Sequence, residues 1–277
     1  MGQNWDNFLK NLGEWHGSFT KFTPDGIQLD STPSILNLTG LEDNQLVVFR
    51  LRRFGADPTK PTSDYTQEYR TLGKQALFFE TGAFSKGALQ YGPFSEFGAE
   101  YGFVAPDRRM RLVQLFDKQG AFSELVLIRE FRTGSDATER PPLDMVQLVG
   151  KWEGTACSAY PNWSHSQMMD TTLEIVDLGN GKFQYKFTSS AGQSFSNTAQ
   201  LKNDHQLTFL DSATPQTMLL LPDGTSSHVP LDIKVRQAFF VESGWLVNPT
   251  RRERLIRYYD HKGEWISATH VIEHKIR

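Results

Sequence analysis

An internal repeat constrains the fold of this chain more than any other feature of its sequence. The segment 13–17 (GEWHG) recurs at 150–154 (GKWEG), and the arginine-rich segment 106–113 recurs in the same order at 249–256. Both pairs of segments are offset by about 140 positions, and ordered repetition of this kind indicates one structural unit used twice. The 277 residues therefore form two copies of a domain of about 135 residues, which is a common domain size.

Composition excludes several classes of protein. The net charge of −3 provides no basic surface for nucleic acid or anionic lipid. The single cysteine, Cys157, excludes an intramolecular disulfide and a cysteine-based zinc site. The sequence also has no secretory signal and no apolar run near the roughly 20 residues of a membrane span. These features predict a cytoplasmic protein with no membrane span and no nucleic-acid partner.

Each repeat opens with a short helical pattern and continues as strands. Apolar residues recur with helical spacing over 5–12 and 143–149, and Gly13 and Gly150 follow at the positions where helices are capped. The remainder consists of short apolar or alternating runs, such as 183–187, between tight-turn sequences. Many short strands at turn spacing indicate a β-sandwich or β-barrel.

A linker separates the two repeats. Residues 133–142 are polar and proline-containing, and they have no apolar periodicity. We therefore predict a first domain over 1–132, a linker over 133–142 and a second domain over 143–277.

The motifs carry a resemblance to a known superfamily. A short helix followed by Gly-x-Trp at the start of the first strand resembles the lipocalins and the wider calycin superfamily. The Arg109-x-Arg111 strand and the later Glu130-x-Arg132 are similar to the closing strands of the lipocalin-like, S-type phycobilin lyases. The whole chain resembles an uncharacterised family of tandem calycin-like proteins from photosynthetic organisms. This resemblance implies an all-β fold of two tandem antiparallel up-and-down β-barrels, each preceded by a short helix.

One position differs from the lyases in both repeats. The lyases have an arginine four residues after the motif tryptophan, where this chain has Phe19 and Ala156. The difference argues against lyase activity and leaves the barrel prediction intact.

The motif tryptophans are predicted to close the barrels. Trp15 and Trp152 would fill the narrow end of each barrel, where a buried indole N–H needs a hydrogen-bond acceptor. A basic residue of the last strand, Arg132 or Lys275, would stack on each ring in a cation–π contact of about 0.5–2 kcal/mol. The alternative is that the tryptophans line a ligand pocket.

The paired arginines are the predicted ligand-binding residues. Alternate residues of a strand share a face, which groups Arg109 with Arg111 and Arg252 with Arg254, each pair beside apolar residues. If these faces point inward, each barrel holds two cations suited to an amphipathic carboxylate. The alternative places the guanidinium groups in water on the outer wall. Inside a barrel they need anionic partners, and the closing strands offer Glu130 and Glu273.

Catalytic motifs are scarce. The segment 270–274 (HVIEH) matches an inverted zinc-protease pattern, but it lies in a predicted strand, whereas the mechanism requires a helix. Cys157 has no neighbour in sequence that would activate it. We therefore predict no catalytic residues and no metal ligands.

Three functions remain open. The favoured one is a non-catalytic protein that carries a hydrophobic or amphipathic small molecule, such as a pigment, a tetrapyrrole or a fatty acid, in a barrel. The second is a bilin lyase-like enzyme or chromophore chaperone. The third is a structural or assembly factor whose barrels are filled by side chains, which the 20 phenylalanines could supply. No cofactor is predicted beyond such a bound molecule, and the protein partner and oligomeric state are left open.

Overall fold

The computed structural model describes residues 2–276 and confirms the predicted all-β class, with 61% of residues in strands and 5% in helices. The first half consists of α1 (Gln3–Leu9), β1 (Gly13–Phe22), β2 (Gln28–Leu41), β3 (Leu46–Phe54), β4 (Pro61–Tyr69), β5 (Ala76–Phe78), β6 (Phe84–Gly87), β7 (Phe97–Val104), β8 (Arg108–Phe116) and β9 (Phe122–Arg132). The second half consists of α2 (Met145–Leu148), β10 (Gly150–Ala159), β11 (Met169–Gly179), β12 (Lys182–Ser189), β13 (Ser194–Asn203), β14 (Gln206–Phe209), β15 (Gln216–Leu221), β16 (Thr225–Pro230), β17 (Phe239–Asn248), β18 (Arg251–Tyr259) and β19 (Trp265–Ile276).

The two halves differ in closure. Strands β10 to β19 form a closed antiparallel barrel, whereas the first nine strands form a curled sheet in the order β4-β3-β2-β1-β9-β8-β7-β6-β5. The first half is therefore a half-barrel with β4 and β5 at its two edges. Helix α1 occupies the edge of β5: Asn4 donates to the Ala76 carbonyl (3.1 Å) and accepts from the Phe78 N–H (2.7 Å), and Asn7 donates to the Phe78 carbonyl (3.0 Å). These side chains occupy N–H and C=O groups of the β5 backbone that an added strand would need in order to close the barrel.

The second glycine of each repeat motif allows two strands to approach closely. Gly17 of β1 pairs with Glu130 of β9, and Gly154 of β10 pairs with Glu273 of β19. A Cβ atom at Gly17 would fall well inside van der Waals contact of the Arg129 carbonyl oxygen. The motif thus has a glycine here because no larger residue fits.

Gly17→Ala should therefore destabilise the protein. The new methyl group meets backbone that cannot move without breaking the β1–β9 ladder, so we expect the free energy of unfolding to fall by about 3 kcal/mol. Urea unfolding measures the change. Gly92→Ala is the control, because a Cβ there meets nothing nearer than Ser95 Oγ at 3.8 Å. Equal midpoints for the two variants would contradict this explanation of the motif.

The two halves share one hydrophobic core. The outward faces of β7, β8 and β9 pack against the second half, and the shared cluster includes Leu112 of the first half and Leu255 of the second. Hydrogen bonds cross the same interface. Tyr101 Oη donates to the Val241 carbonyl (2.8 Å), and Gln114 Nε2 donates to Ser227 Oγ (2.8 Å). The halves are therefore joined by a buried face in addition to the chain between them.

The segment between the halves is fixed to this junction. Asp223 is fully buried and forms ion pairs with both Arg108 of β8 and Arg140 of the connecting segment. The Arg140 guanidinium also lies 5.0 Å from the centre of the Trp245 ring. One buried carboxylate thus ties together the first half, the connection and the second half.

Candidate functional site

The four predicted ligand-binding arginines are all buried, two in the half-barrel and two in the closed barrel. Arg109, Arg111, Arg252 and Arg254 are each at most 6% exposed. In β8 the alternate face carries Leu112 and packs against the other half, so Arg109 and Arg111 lie on the concave side of the half-barrel. The same alternation in β18 turns its two arginines into the closed barrel.

Glu130 is the common partner of the first pair. Its carboxylate lies 3.1 Å from Arg109 Nη1 and 2.8 Å from Arg111 Nη2, and Glu100 Oε1 lies 3.0 Å from Arg111 Nη1. Burial lowers the pKa of Arg109 to about 10. Burial opposes charge on Arg111 and Glu130 as well, but their mutual attraction outweighs it, raising the pKa of Arg111 and lowering that of Glu130. The two arginines are thus neutralised by protein carboxylates.

Glu273 has the same role in the closed barrel. Its carboxylate lies 3.3 Å from Arg252 Nη1 and 3.2 Å from Arg254 Nε, and Glu242 lies 3.4 Å from Arg254 Nη1. Aromatic side chains fill the space around this network: the His228 ring stacks on Phe209 with centroids 4.3 Å apart. Burial lowers the pKa of His228 to about 4, which keeps its imidazole neutral. The arginines of the closed barrel are therefore packed among side chains.

The motif tryptophans lie at the helix-capped ends. Trp15 Nε1 donates to the Asn11 carbonyl (3.0 Å), and the Arg132 guanidinium lies 4.2 Å from its ring centre. Trp152 Nε1 donates to the Leu148 carbonyl (2.8 Å), and Lys275 Nζ lies 5.4 Å from its ring centre. Each basic residue is the direct cross-strand neighbour of its tryptophan, which explains the stacking in both halves.

A cation that the sequence analysis missed lies on the concave side of the half-barrel. The Arg53 guanidinium of β3 is 4.2 Å from the centre of the Phe19 ring, and that of Arg111 is 5.3 Å from the same ring. Among residues 2–276, Arg53 has no ion-pair partner, unlike Arg109 and Arg111. Partial burial, and then repulsion from Arg111, lowers the pKa of Arg53. The usable signal was the alternation of β1, which places Phe19 on the same face as Trp15 and so offers a ring on which inward-facing arginines can stack.

Arg53 and its surroundings define what we call the concave site: Phe19, Phe49, Leu51, Arg53, Tyr65, Tyr69, Glu100, Arg111 and Val113, which face the inside of the half-barrel. Phe49 and Tyr69 pack edge to face with centroids 6.3 Å apart, and Tyr65 is 52% exposed. A separate concavity of about 280 Å³ lies beside Glu100 and Val113, and Arg53 is not among the residues that line it. The site thus combines an accessible apolar surface with one unpaired cation.

The remaining motif residues form no such site. The segment 270–274 lies in β19, where His270 contacts Glu253 (2.9 Å) on the outer face and Glu273 points inward. Burial raises the pKa of the Cys157 thiol. Within residues 2–276, no group of three or more His, Cys, Asp and Glu side chains is placed to hold a metal ion. No described helix is long and apolar enough to cross a membrane.

Comparison with known proteins gives the family. Residues 1–135 match the model "Domain of unknown function (DUF3598), N-terminal", and residues 139–276 match "Biogenesis factor required for ATP synthase 1, C-terminal domain". No curated protein sequence matches. A crystal structure of a DUF3598 protein of unknown function from Nostoc punctiforme is 42% identical over 100% of both chains, with a TM-score of 0.91. The S-type phycobiliprotein lyase CPES from Guillardia theta is 12% identical over 49% of this chain and 94% of its own, with a TM-score of 0.38. The full-length similarity to the Nostoc protein shows that this chain belongs to the DUF3598 family.

Proposed function

We propose that the concave site binds an amphipathic small molecule that carries a carboxylate, of the pigment, tetrapyrrole or fatty-acid class. The observation that supports this most is the Arg53 guanidinium, which stacks on Phe19 without an acidic partner among residues 2–276. The protein acts in this proposal as a non-catalytic carrier. A bilin lyase-like activity is the enzymatic alternative and would use the same site.

Electrostatics favours an anion at this position. Arg53 and Arg111 flank one phenyl ring, and their mutual repulsion contributes to the lowered pKa of Arg53. A carboxylate placed beside Arg53 would relieve that repulsion and accept two parallel N–H donors. Arg111 cannot supply the same binding energy, because Glu130 and Glu100 already accept from its donors.

The surrounding surface favours an apolar body behind the carboxylate. Small-molecule sites are concave and mostly apolar, with a few placed polar groups. The concave site offers Phe49, Leu51 and Tyr65 near the cation, on strands β3 and β4 at the open edge of the nine-stranded sheet. Both predicted arginines of the closed barrel already have carboxylate partners, so we assign binding to the first half.

A pair of matched probes tests the proposal. Dodecanoate and dodecanol differ only in the carboxylate, so we expect dodecanoate to bind more tightly to the wild-type protein by isothermal titration. Arg53→Leu should weaken dodecanoate binding about tenfold, which corresponds to about 1.4 kcal/mol, and leave dodecanol unchanged.

The control variant is Arg50→Leu, since Arg50 lies on the outer face of the same strand and pairs with Asp64 at 2.6 Å. It should bind both probes as the wild type does. Equal loss in the two variants, or unchanged dodecanoate binding in Arg53→Leu, would refute the assignment of Arg53.

A second candidate function is that of an assembly factor. The matched family of residues 139–276 is described as a biogenesis factor required for ATP synthase 1, and the interior of the closed barrel is occupied by the aromatic cluster and its ion pairs. In this case the barrels would act as a scaffold. Failure of both dodecanoate and dodecanol to bind the wild-type protein would favour this function over the carrier.

A further inference from the structure

Strand β4 is an edge strand with an open side. It pairs with β3 over Pro61–Tyr69, and no strand within residues 2–276 pairs with its other side. Residues 62–68 are all exposed. Every second residue of such a strand directs its N–H and C=O away from its neighbour, and no backbone hydrogen bond outside the described strands and helices involves residues 61–69. The strand thus presents a row of available donors and acceptors.

The opposite edge of the same sheet is different. At β5, Asn4 and Asn7 of α1 bond to the backbone of residues 76 and 78. Proteins commonly protect sheet edges with prolines, charges or covering segments. On β4 the only proline is Pro61, at the first position, and the only charged residues are Asp64 and Glu68, both on the convex face. One edge of the half-barrel is therefore capped and the other is available over most of its length.

The two faces of β4 are chemically distinct. Asp64 and Glu68 lie on the convex face; Arg50 pairs with Asp64, whereas Glu68 has no ion-pair partner within residues 2–276. Tyr65 and Tyr69 lie on the concave face, opposite Leu51 and Val47 of β3. A strand added beside β4 would therefore have one side chain row next to carboxylates and the other next to aromatic rings.

We propose that β4 binds an extended segment of another protein by strand addition, and that this segment alternates basic with apolar residues. Main-chain hydrogen bonds to the open edge would provide affinity, and alternate side chains would provide specificity. The basic residues would lie beside Glu68 and Asp64, and the apolar residues beside Tyr65. This proposal does not rest on the small molecule proposed for the concave site, although Tyr65 and Tyr69 belong to both surfaces.

The charges on β4 argue against a second copy of this chain as the added strand. An antiparallel pair of β4 strands centred on Thr66 would set Asp64 of each copy opposite Glu68 of the other, and like charges across strands are destabilising. A basic partner turns the same carboxylates into attractive contacts. The partner that fits best is therefore a different protein.

Synthetic peptides test strand addition directly. The probe is an acetylated and amidated octapeptide of alternating lysine and valine, and its binding to the full-length protein is followed by hydrogen exchange and fluorescence anisotropy. We expect the peptide to slow amide exchange within residues 62–68. Glu68→Lys should weaken binding about tenfold, and Glu174→Lys, which reverses an exposed charge in the closed barrel, should leave it unchanged.

Two N-methylated peptides distinguish strand addition from simple charge attraction. A strand added to an edge uses only alternate N–H groups, so methylating the amides of one alternate set should abolish binding, and methylating the other set should not. Equal binding of both methylated peptides, or no slowing within residues 62–68, would refute the proposal. A dimer that forms without peptide and slows exchange of β4 would assign the edge to a second copy and overturn it as well.

Discussion

Replacing Glu130 with glutamine should lower the free energy of unfolding by about 3–5 kcal/mol, the usual effect of removing one partner from a buried ion pair. Glu130 is fully buried, and its carboxylate accepts from both Arg109 and Arg111. Glutamine keeps the size of the side chain but removes its charge. Glu100 reaches only Arg111, so the Arg109 guanidinium would be left inside the half-barrel without a counter-ion.

Denaturant unfolding of the wild type and Glu130→Gln measures this effect. The matched control is Glu42→Gln, because Glu42 pairs with Arg70 on the surface, where both side chains are more than half exposed. Surface ion pairs contribute little to stability, so this control should unfold like the wild type. Replacing Glu130, Arg109 and Arg111 together with apolar residues should recover much of the loss. A Glu130→Gln variant as stable as its control would contradict the network described here.

Asp223→Asn should have a similarly large effect, also about 3–5 kcal/mol, but at the junction of the two halves. Asp223 is fully buried and pairs with Arg108 of the first half and Arg140 of the connecting segment. Its φ of 60° is in the left-handed region, which asparagine also tolerates. The substitution therefore removes the charge without introducing backbone strain, and two guanidinium groups lose their counter-ion.

Denaturant unfolding of the wild type and of Asp223→Asn measures this effect, and it should be followed with a separate signal from each half. The shared core predicts one cooperative transition for the wild type, at a midpoint that Asp223→Asn lowers. Asp64→Asn is the control, because Asp64 pairs with Arg50 at the surface. Two independent transitions in the wild-type protein, neither of them moved by Asp223→Asn, would contradict the role of this carboxylate.

The repeat and the alternation of residues in strands were sufficient to predict much of the architecture. The glycine and tryptophan motifs predicted the helix-then-strand openings. The pairing of Arg109 and Arg111 with Glu130 was expected for two reasons. Alternate residues of a strand lie on the same face, and a buried cation without a counter-ion has a high free energy. These predictions depend on short-range patterns, which the sequence carries explicitly.

The features that were missed depend on contacts distant in sequence. The half-barrel stays open partly because Asn4 bonds to the backbone of β5, more than 70 residues away, and no local pattern indicates such a contact. The shared core had a visible signal: in the segment 108–116 apolar residues occur at both odd and even positions, which indicates a strand covered on both faces. Arg53 was overlooked because it lies 34 positions from Phe19 in the chain, and no local pattern connects the two residues.

In the function proposed above, Arg53 makes the concave site a receptor for a carboxylate-bearing amphipathic molecule. The most direct test is native mass spectrometry of the purified protein after incubation with a total pigment and lipid extract of a cyanobacterium. We predict an equimolar adduct whose extracted ligand bears a carboxylate, which is lost in Arg53→Leu and retained in Arg50→Leu. Absence of any adduct on the wild-type protein, or an adduct that Arg53→Leu retains equally well, would contradict the account.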